Sequence, residues 1–427
     1  MSTFESSFVE APLLAGPTRK PQSLSEVDIG KVVLENLALK ILYLSGSISV
    51  LELAEKMRLS YEVASDLFYR LRADLLCQAS GMISNIPQMA ITTQGRSRAA
   101  DLLAQSQYMG PAPVSLASYV EQVRSQSVRN VEVHPEDVER AFAHLVIDKE
   151  TLAQFGTALN SGSAVFLYGP PGTGKTTVAE CLSRAFSEDF VWIPYAVEVE
   201  SQIITIYDPS IHMCMPTEEP ELHDERWVLC TRPAVLVGGE LTVEMLDLQF
   251  NPSSKFYVGP VQMKANNGVL IIDDFGRQRI GPAELLNRWV VPLDRRIDFL
   301  TMVGGKKLEI PFEMLVVFAS NMNPYELLEP AFLRRIQTKI RLGAPTDAQF
   351  REIFRRTAIE HRVPYDPAIP NELIEFIRGR LKEELRSCYP RDIVRQACWA
   401  ARYENRKPYL DSATLKRAVD AYFLPTA

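Results

Sequence analysis

The sequence predicts an α/β fold, a parallel-sheet core closed by a helical lid and preceded by a smaller domain of helices and a β-hairpin. Three observations predict it. Residues 131–345 alternate apolar strand-like runs with helical segments, the βα pattern of a parallel sheet. Within them Ala164–Tyr168 (AVFLY) runs straight into a glycine-rich turn, Gly169–Thr177 (GPPGTGKTT), and a helix. Residues 346–427 read as helices only, with amphipathic periodicity in Ala348–Arg362, Glu372–Leu385 and Asp392–Tyr403.

The N-terminal part divides into a flexible tail, residues 1–24, and a domain over residues 25–106. Ser49–Leu59 reads as a first helix and Ser60–Leu76 as a second, with Ser60 as N-cap and Val63, Leu67, Leu71 and Leu75 forming one apolar face. An alternating stretch through Gly81 follows, and AITTQGRSRA (Ala90–Ala99) leads into another helix. Two helices and a hairpin in this order make a winged-helix-like domain. Its 8 basic and 9 acidic residues give it no cationic coat, so protein docking is favoured over DNA contact, with Arg96 and Arg98 as a small basic wing. A linker, residues 107–130, carries Gly110-Pro111-Ala112-Pro113 and a short helix over Ser115–Ser127.

Composition narrows the function classes. The 427 residues are long enough for two or three domains, and a net charge of −7 excludes a uniformly basic nucleic-acid coat. No run of 18 apolar residues exists, and Glu5, Glu10, Pro12 and Pro17 suit a loose tail better than a signal peptide, so a cytoplasmic protein without membrane contact is expected. The six cysteines lack a CxxC pair and suit a reducing compartment. His212, Cys214 and His223 do not have the spacing of a metal site.

The motifs that carry chemistry lie in the core. GxxxxGK[ST] between strand and helix is a phosphate cradle: Gly169, Gly172 and Gly174 let backbone N–H groups turn inward at a helix N-terminus, and Pro170, Pro171, Thr173 and Thr177 complete the motif. Lys175 supplies charge to the β/γ-phosphates and Thr176 a hydroxyl for Mg²⁺. Gly268–Ile272 is a buried strand ending in Asp273-Asp274, so Asp273 suits the metal side and Asp274 the attacking water. Met314–Ser320 is another, with Asn321 at its tip to hold the water or a γ-phosphate oxygen. Arg334 and Arg335 precede the final strand, Ile336–Leu342; they either cap a helix dipole or reach a phosphate on a neighbouring subunit.

Taken together, GPPGTGKTT, VLIIDDFG (Val269–Gly276), FASNMNP (Phe318–Pro324), EPAFLRRI (Glu329–Ile336) and YPRDIVRQ (Tyr389–Gln396) resemble the AAA+ ATPases, most nearly the MoxR-like group. The glycine-containing hairpin over Ile297–Ile310 is similar to that group's extra hairpin. The resemblance covers residues 131–427. It implies ATP and Mg²⁺ as cofactors, Asn321 as first sensor, Arg334 or Arg335 as a finger acting between subunits and Arg391 as second sensor. It also implies assembly with itself into a ring, often a hexamer, acting on a protein client. Asp274 departs from the family's usual Glu. It is shorter by roughly 1.5 Å, enough to slow hydrolysis. Three functions follow: a remodelling or chaperone-like motor first, then a DNA-associated regulatory ATPase, then a weakly hydrolysing switch or scaffold. Arg226–Glu240 reads as a β-hairpin insertion. Lys255–Gly259 (KFYVG) resembles a substrate-gripping loop, though a packed turn leading into a strand is favoured.

Overall fold

The computed structural model describes residues 19–83, 86–216 and 223–423, so residues 1–18 of the expected tail lie outside the described residues. Of the rest of that tail, Lys20 pairs with Glu225 at 2.8 Å and Leu24 is buried. Next come α1 (Lys31–Ser45), β1 (Ser47–Ser49), α2 (Val50–Met57), α3 (Tyr61–Ala73), β2 (Cys77–Ile83), β3 (Ile86–Ile91) and α4 (Thr93–Gln105), with an antiparallel sheet of order β1-β3-β2. Local chemistry sets these boundaries. Ser49 and Glu52 form a reciprocal capping box on α2, and the Ser60 hydroxyl accepts the Val63 N–H at 3.3 Å on α3. The expected apolar face holds for Val63, Leu67 and Leu71. It fails at Leu75, which is 67% exposed because α3 stops at Ala73. No periodicity in the sequence marks α1; its Leu37–Leu42 run is buried on every side, Lys40 included, with the Lys40 ammonium donating to the Ser106 carbonyl at 3.0 Å.

The expected linker is woven into the structure. β4 (Val114–Ser115) leads to α5 (Leu116–Ser125), then α6 (Pro135–Phe142) and α7 (Lys149–Ser161) precede β5 (Val165–Tyr168) and α8 (Lys175–Arg184). Five short strands follow: β6 (Phe190–Pro194), β7 (Ala196–Val199), β8 (Gln202–Thr205), β9 (Trp227–Thr231) and β10 (Ala234–Val237). Beyond them run β11 (Gln249–Phe250), β12 (Tyr257–Val258), α9 (Val261–Ala265), β13 (Val269–Ile272), α10 (Pro282–Arg288), α11 (Val290–Arg295), the hairpin β14 (Ile297–Thr301) and β15 (Lys307–Pro311), β16 (Leu315–Ser320), α12 (Pro324–Leu327), α13 (Pro330–Leu333) and β17 (Thr338–Arg341). The core sheet has the order β10-β13-β16-β5-β17, every pairing parallel. Its inner strands β13 and β16 are buried along their whole length, as a parallel sheet covered on both faces requires. Phe166, Phe275, Phe318 and Trp289 fill one face; Phe155, Val178 and Leu182 fill the other.

The expected insertion hairpin does not exist. β9 pairs antiparallel with β6, whereas β10 is the edge of the core sheet beside β13. The break falls at Arg232-Pro233. Proline brings no N–H to a ladder, and the Arg232 guanidinium turns inward to Asp189 (2.8 Å) and the carbonyls of Gln126 and Asn267 (2.8 and 2.6 Å). A second sheet, β11-β12-β8-β7-β4, takes in the linker strand. Lys255–Gly259 is a packed turn entering β12: Tyr257 is buried, and Ser254 accepts the Gln107 N–H at 2.8 Å from the N-terminal unit. The C-terminal helices α14 (Asp347–Glu360), α15 (Ile369–Glu375), α16 (Cys388–Tyr403) and α17 (Ser412–Tyr422) enclose their own core of Phe350, Phe354, Ile393 and Leu415. Among the described residues no helix is long and apolar enough to cross a membrane.

Candidate functional site

The glycine-rich turn leaves β5 at Gly169 and enters α8 at Lys175. Glycine is required at two points. At Gly169 a Cβ would lie 2.0 Å from the Leu342 carbonyl oxygen, where β5 and β17 emerge side by side. At Gly172, with φ +80°, it would meet the Cys388 sulfur at 2.7 Å. The second contact brings the helical unit onto the turn, and the Cys388 N–H donates to the Gly172 carbonyl at 3.1 Å. Lys175 is buried, its ammonium donating to the Gly169 and Pro170 carbonyls at 3.1 and 2.9 Å. Burial lowers its pKa from the ordinary lysine value, and Asp274 and Asp273 oppose that shift.

The acidic pair sits where β13 ends. The Thr176 hydroxyl donates to Asp273 Oδ2 at 2.8 Å, joining the first turn of α8 to that strand. Asp274 adopts a left-handed backbone, φ +49°, which turns its carboxylate from the sheet toward Asn321, whose Nδ2 donates to Oδ1 at 3.0 Å. The adjoining turn is stitched to β16: the Phe275 N–H donates to the Ala319 carbonyl (2.7 Å) and the Ser320 hydroxyl to the Phe275 carbonyl (2.7 Å).

These groups border one cavity of about 600 Å³ between core and helical unit. Pro171 to Thr177, Asp273, Asp274, Asn321 and Arg391 line it; Gly169 and Pro170 lie just behind. Arg391 enters from the first turn of α16, half exposed, with its Nε 3.2 Å from Asp392. Arg334 and Arg335 do not line it. Arg335 is tied down by Asp294 at 2.8 Å and the Ala331 carbonyl at 2.9 Å, whereas Arg334 is exposed and has no ion-pair partner among the described residues. Both His212 ring nitrogens are engaged, with the Asp208 N–H and the Lys264 carbonyl.

The P-loop segment matches the AAA family. Residues 165–213 match the family described as ATPase family associated with various cellular activities, and residues 346–421 match a domain of unknown function, DUF8689. The core is thus an α/β P-loop sheet of the AAA+ kind, followed by C-terminal helices. Nothing among the curated proteins matches. Among solved structures the chain is similar to the RuvB Holliday junction branch migration motor of Thermotoga maritima. Identity is 14% and the TM-score 0.37, over 64% of this chain and 70% of that one. Two mutants of the same protein align at 14% and 15% identity, both with a TM-score of 0.37, covering 69% and 70% of this chain and 72% and 73% of theirs.

Sequence reasoning missed the far end of the cavity. There His144–Ile147 face Ile353, Arg356, Thr357 and Glu360 of α14. Arg356 spans the gap, donating to the carbonyls of Ala143 and Leu145 at 2.8 and 3.0 Å. The only local signal is the mixed polar face of α14, which any surface helix carries.

Proposed function

We propose that this chain is an ATP-binding and ATP-hydrolysing protein of the MoxR-like AAA+ kind, acting in the cytoplasm as an oligomeric remodelling or chaperone-like motor. The observation that carries it is the convergence of Lys175, Thr176–Asp273, Asp274–Asn321 and Arg391 on one cavity. In this reading the turn from Gly169 to Thr177 cradles phosphate oxygens with backbone N–H groups, and Lys175 leaves the carbonyls of Gly169 and Pro170 for the β/γ-phosphates. The Thr176 hydroxyl and Asp273 carboxylate form an all-oxygen pair that suits Mg²⁺, which when bound neutralises phosphate charge. Asp274 takes the proton of the attacking water while Asn321 orients its carboxylate. Arg391 reports phosphate occupancy to the helical unit.

The remaining role, stabilising charge from a neighbouring subunit, falls to Arg334, since Arg335 is held by Asp294 within its own chain. A ring, hexameric in the family, would bring Arg334 to the next cavity. The winged-helix-like unit suits a protein client better than DNA. Glu62 and Asp66 are exposed on α3, and its Arg70 is engaged by Glu35. Mg²⁺-dependent ATP hydrolysis by the whole chain, with Lys175→Ala as the blank, tests the proposal; hydrolysis unchanged in the variant would overturn it.

A further inference from the structure

A strap of residues 208–216 crosses β9 remote from the nucleotide cavity and places two cysteines face to face. Cys214 and Cys230 are directly opposed in an antiparallel bridge, and the flanking bonds run from the Met215 N–H to the Leu229 carbonyl (2.8 Å) and from the Thr231 N–H to the Met213 carbonyl (3.0 Å). The pair therefore occupies a non-hydrogen-bonded position, where Cα atoms approach to about 4.5 Å, inside the span a disulfide bridges. Cys214 is exposed and Cys230 buried, so one is open to solution chemistry and the other waits beneath it. The Tyr207 hydroxyl lies 2.7 Å from the Cys214 sulfur. Hydrogen bonding to Cys214 and burial hold that phenol above its ordinary pKa, so it stays protonated and able to donate to a thiolate.

We propose that Cys214 and Cys230 are a redox modification site, closing into a reversible intrachain disulfide when a peroxide or a small-molecule disulfide supplies the oxidising equivalents. With a small-molecule disulfide, the Cys214 thiolate displaces one small thiol to form a mixed disulfide, and Cys230 then displaces the second. With hydrogen peroxide, the Cys214 thiolate attacks one oxygen; the O–O bond breaks, water leaves and Cys214 becomes a sulfenic acid. The Cys230 sulfur then attacks the Cys214 sulfur, and the S–O bond breaks. The second water carries away the Cys230 proton, so two thiols are oxidised and one peroxide is reduced to two waters. Burial pushes the Cys230 thiol up to about 12, so it acts as resolving partner and Cys214 as first nucleophile. The bond would fix the strap, whose other end is held to α9 by Asp208–Lys264 at 2.8 Å and by His212 on the Lys264 carbonyl. α9 leads within a few residues to β13 and Asp273.

The test exposes the full chain to hydrogen peroxide and, separately, to oxidised glutathione, followed by non-reducing peptide mapping and thiol counting. The expected result is a Cys214–Cys230 cross-linked peptide, a loss of two of the six thiols and full reversal by dithiothreitol. Cys214→Ser, at an exposed position, removes the cross-link. Cys230→Ala leaves Cys214 as a sulfenic acid or glutathione adduct. Wild-type protein in which Cys214 stops at an adduct or sulfinic acid while Cys230 stays free, in which neither reacts, or in which another pair cross-links would overturn the proposal.

Discussion

Replacing Gly172 with alanine tests whether the helical unit presses directly on the phosphate-binding turn. Two costs follow from the geometry. With φ at +80°, an L side chain costs about 1–2 kcal/mol. The new methyl would also stand 2.7 Å from the Cys388 sulfur and 3.2 Å from Arg386 Cδ, an overpacking of about 1–3 kcal/mol. Gly174 supplies the control. Its φ is +92° but no protein atom lies within 4 Å of a Cβ there, so in the stability of the chain without nucleotide Gly174→Ala carries the backbone cost alone. Urea unfolding without nucleotide should therefore place Gly172→Ala about 1–3 kcal/mol below Gly174→Ala. Adding Cys388→Ala to Gly172→Ala should recover most of that difference, the sign of a shared contact rather than two independent losses. Equal stabilities for the two glycine variants, or no recovery in the double variant, would refute the claim that the turn and α16 touch.

Four further outcomes follow. Asp274→Asn should abolish hydrolysis while leaving nucleotide binding within about threefold, read by single-turnover and equilibrium assays, because the Asn321 contact survives and only the proton acceptor is lost. Asp274→Glu should lower stability by up to about 1 kcal/mol in urea unfolding, since Asp is among the residues that best tolerate φ near +49° and Glu is not. Arg334→Ala should cost hydrolysis about a hundredfold or more without weakening binding, whereas Arg335→Ala, which breaks only the pair with Asp294, should leave hydrolysis near wild type. Asp28 makes the attachment of the N-terminal unit pH-sensitive. Burial pushes its carboxyl up, but Arg226 and the Ser115 N–H outweigh that and hold it at about 2, below the usual 3.8. A depressed carboxylate contributes stability above the unfolded value and loses it as pH falls from about 4 toward 2. Asp28→Asn should thus cost about 1–2 kcal/mol at pH 7, and the difference from wild type should shrink across that window.

What could be read from the chain depended on how local the signal was. The phosphate cradle was legible because its glycines, lysine and threonine are consecutive and bracketed by a strand and a helix. Asp273, Asp274 and Asn321 were legible at one remove: each closes a wholly apolar run, and the parallel pairing of β13 with β16 brings those ends level. The far end of the cavity was not, because it joins His144–Ile147 to α14 across more than two hundred residues through main-chain carbonyls that carry no sequence mark. The false hairpin over Arg226–Glu240 arose because two adjacent apolar runs look alike whether they pair with each other or diverge. The break at Arg232-Pro233 decides between them, through a proline without an N–H and a buried Arg232 guanidinium that periodicity does not show. Similarly, the middle of α1 is buried on all sides from Leu37 to Leu42 and lacks the amphipathic stripe by which helices are recognised.

The proposed ring completes each nucleotide site with a second copy of the chain, and steady-state ATP hydrolysis against protein concentration, with Lys175→Ala as the blank, is the test of it. Specific activity should climb with concentration in the wild type and be absent in Lys175→Ala. Specific activity that is independent of concentration, or that survives in Lys175→Ala, would contradict it.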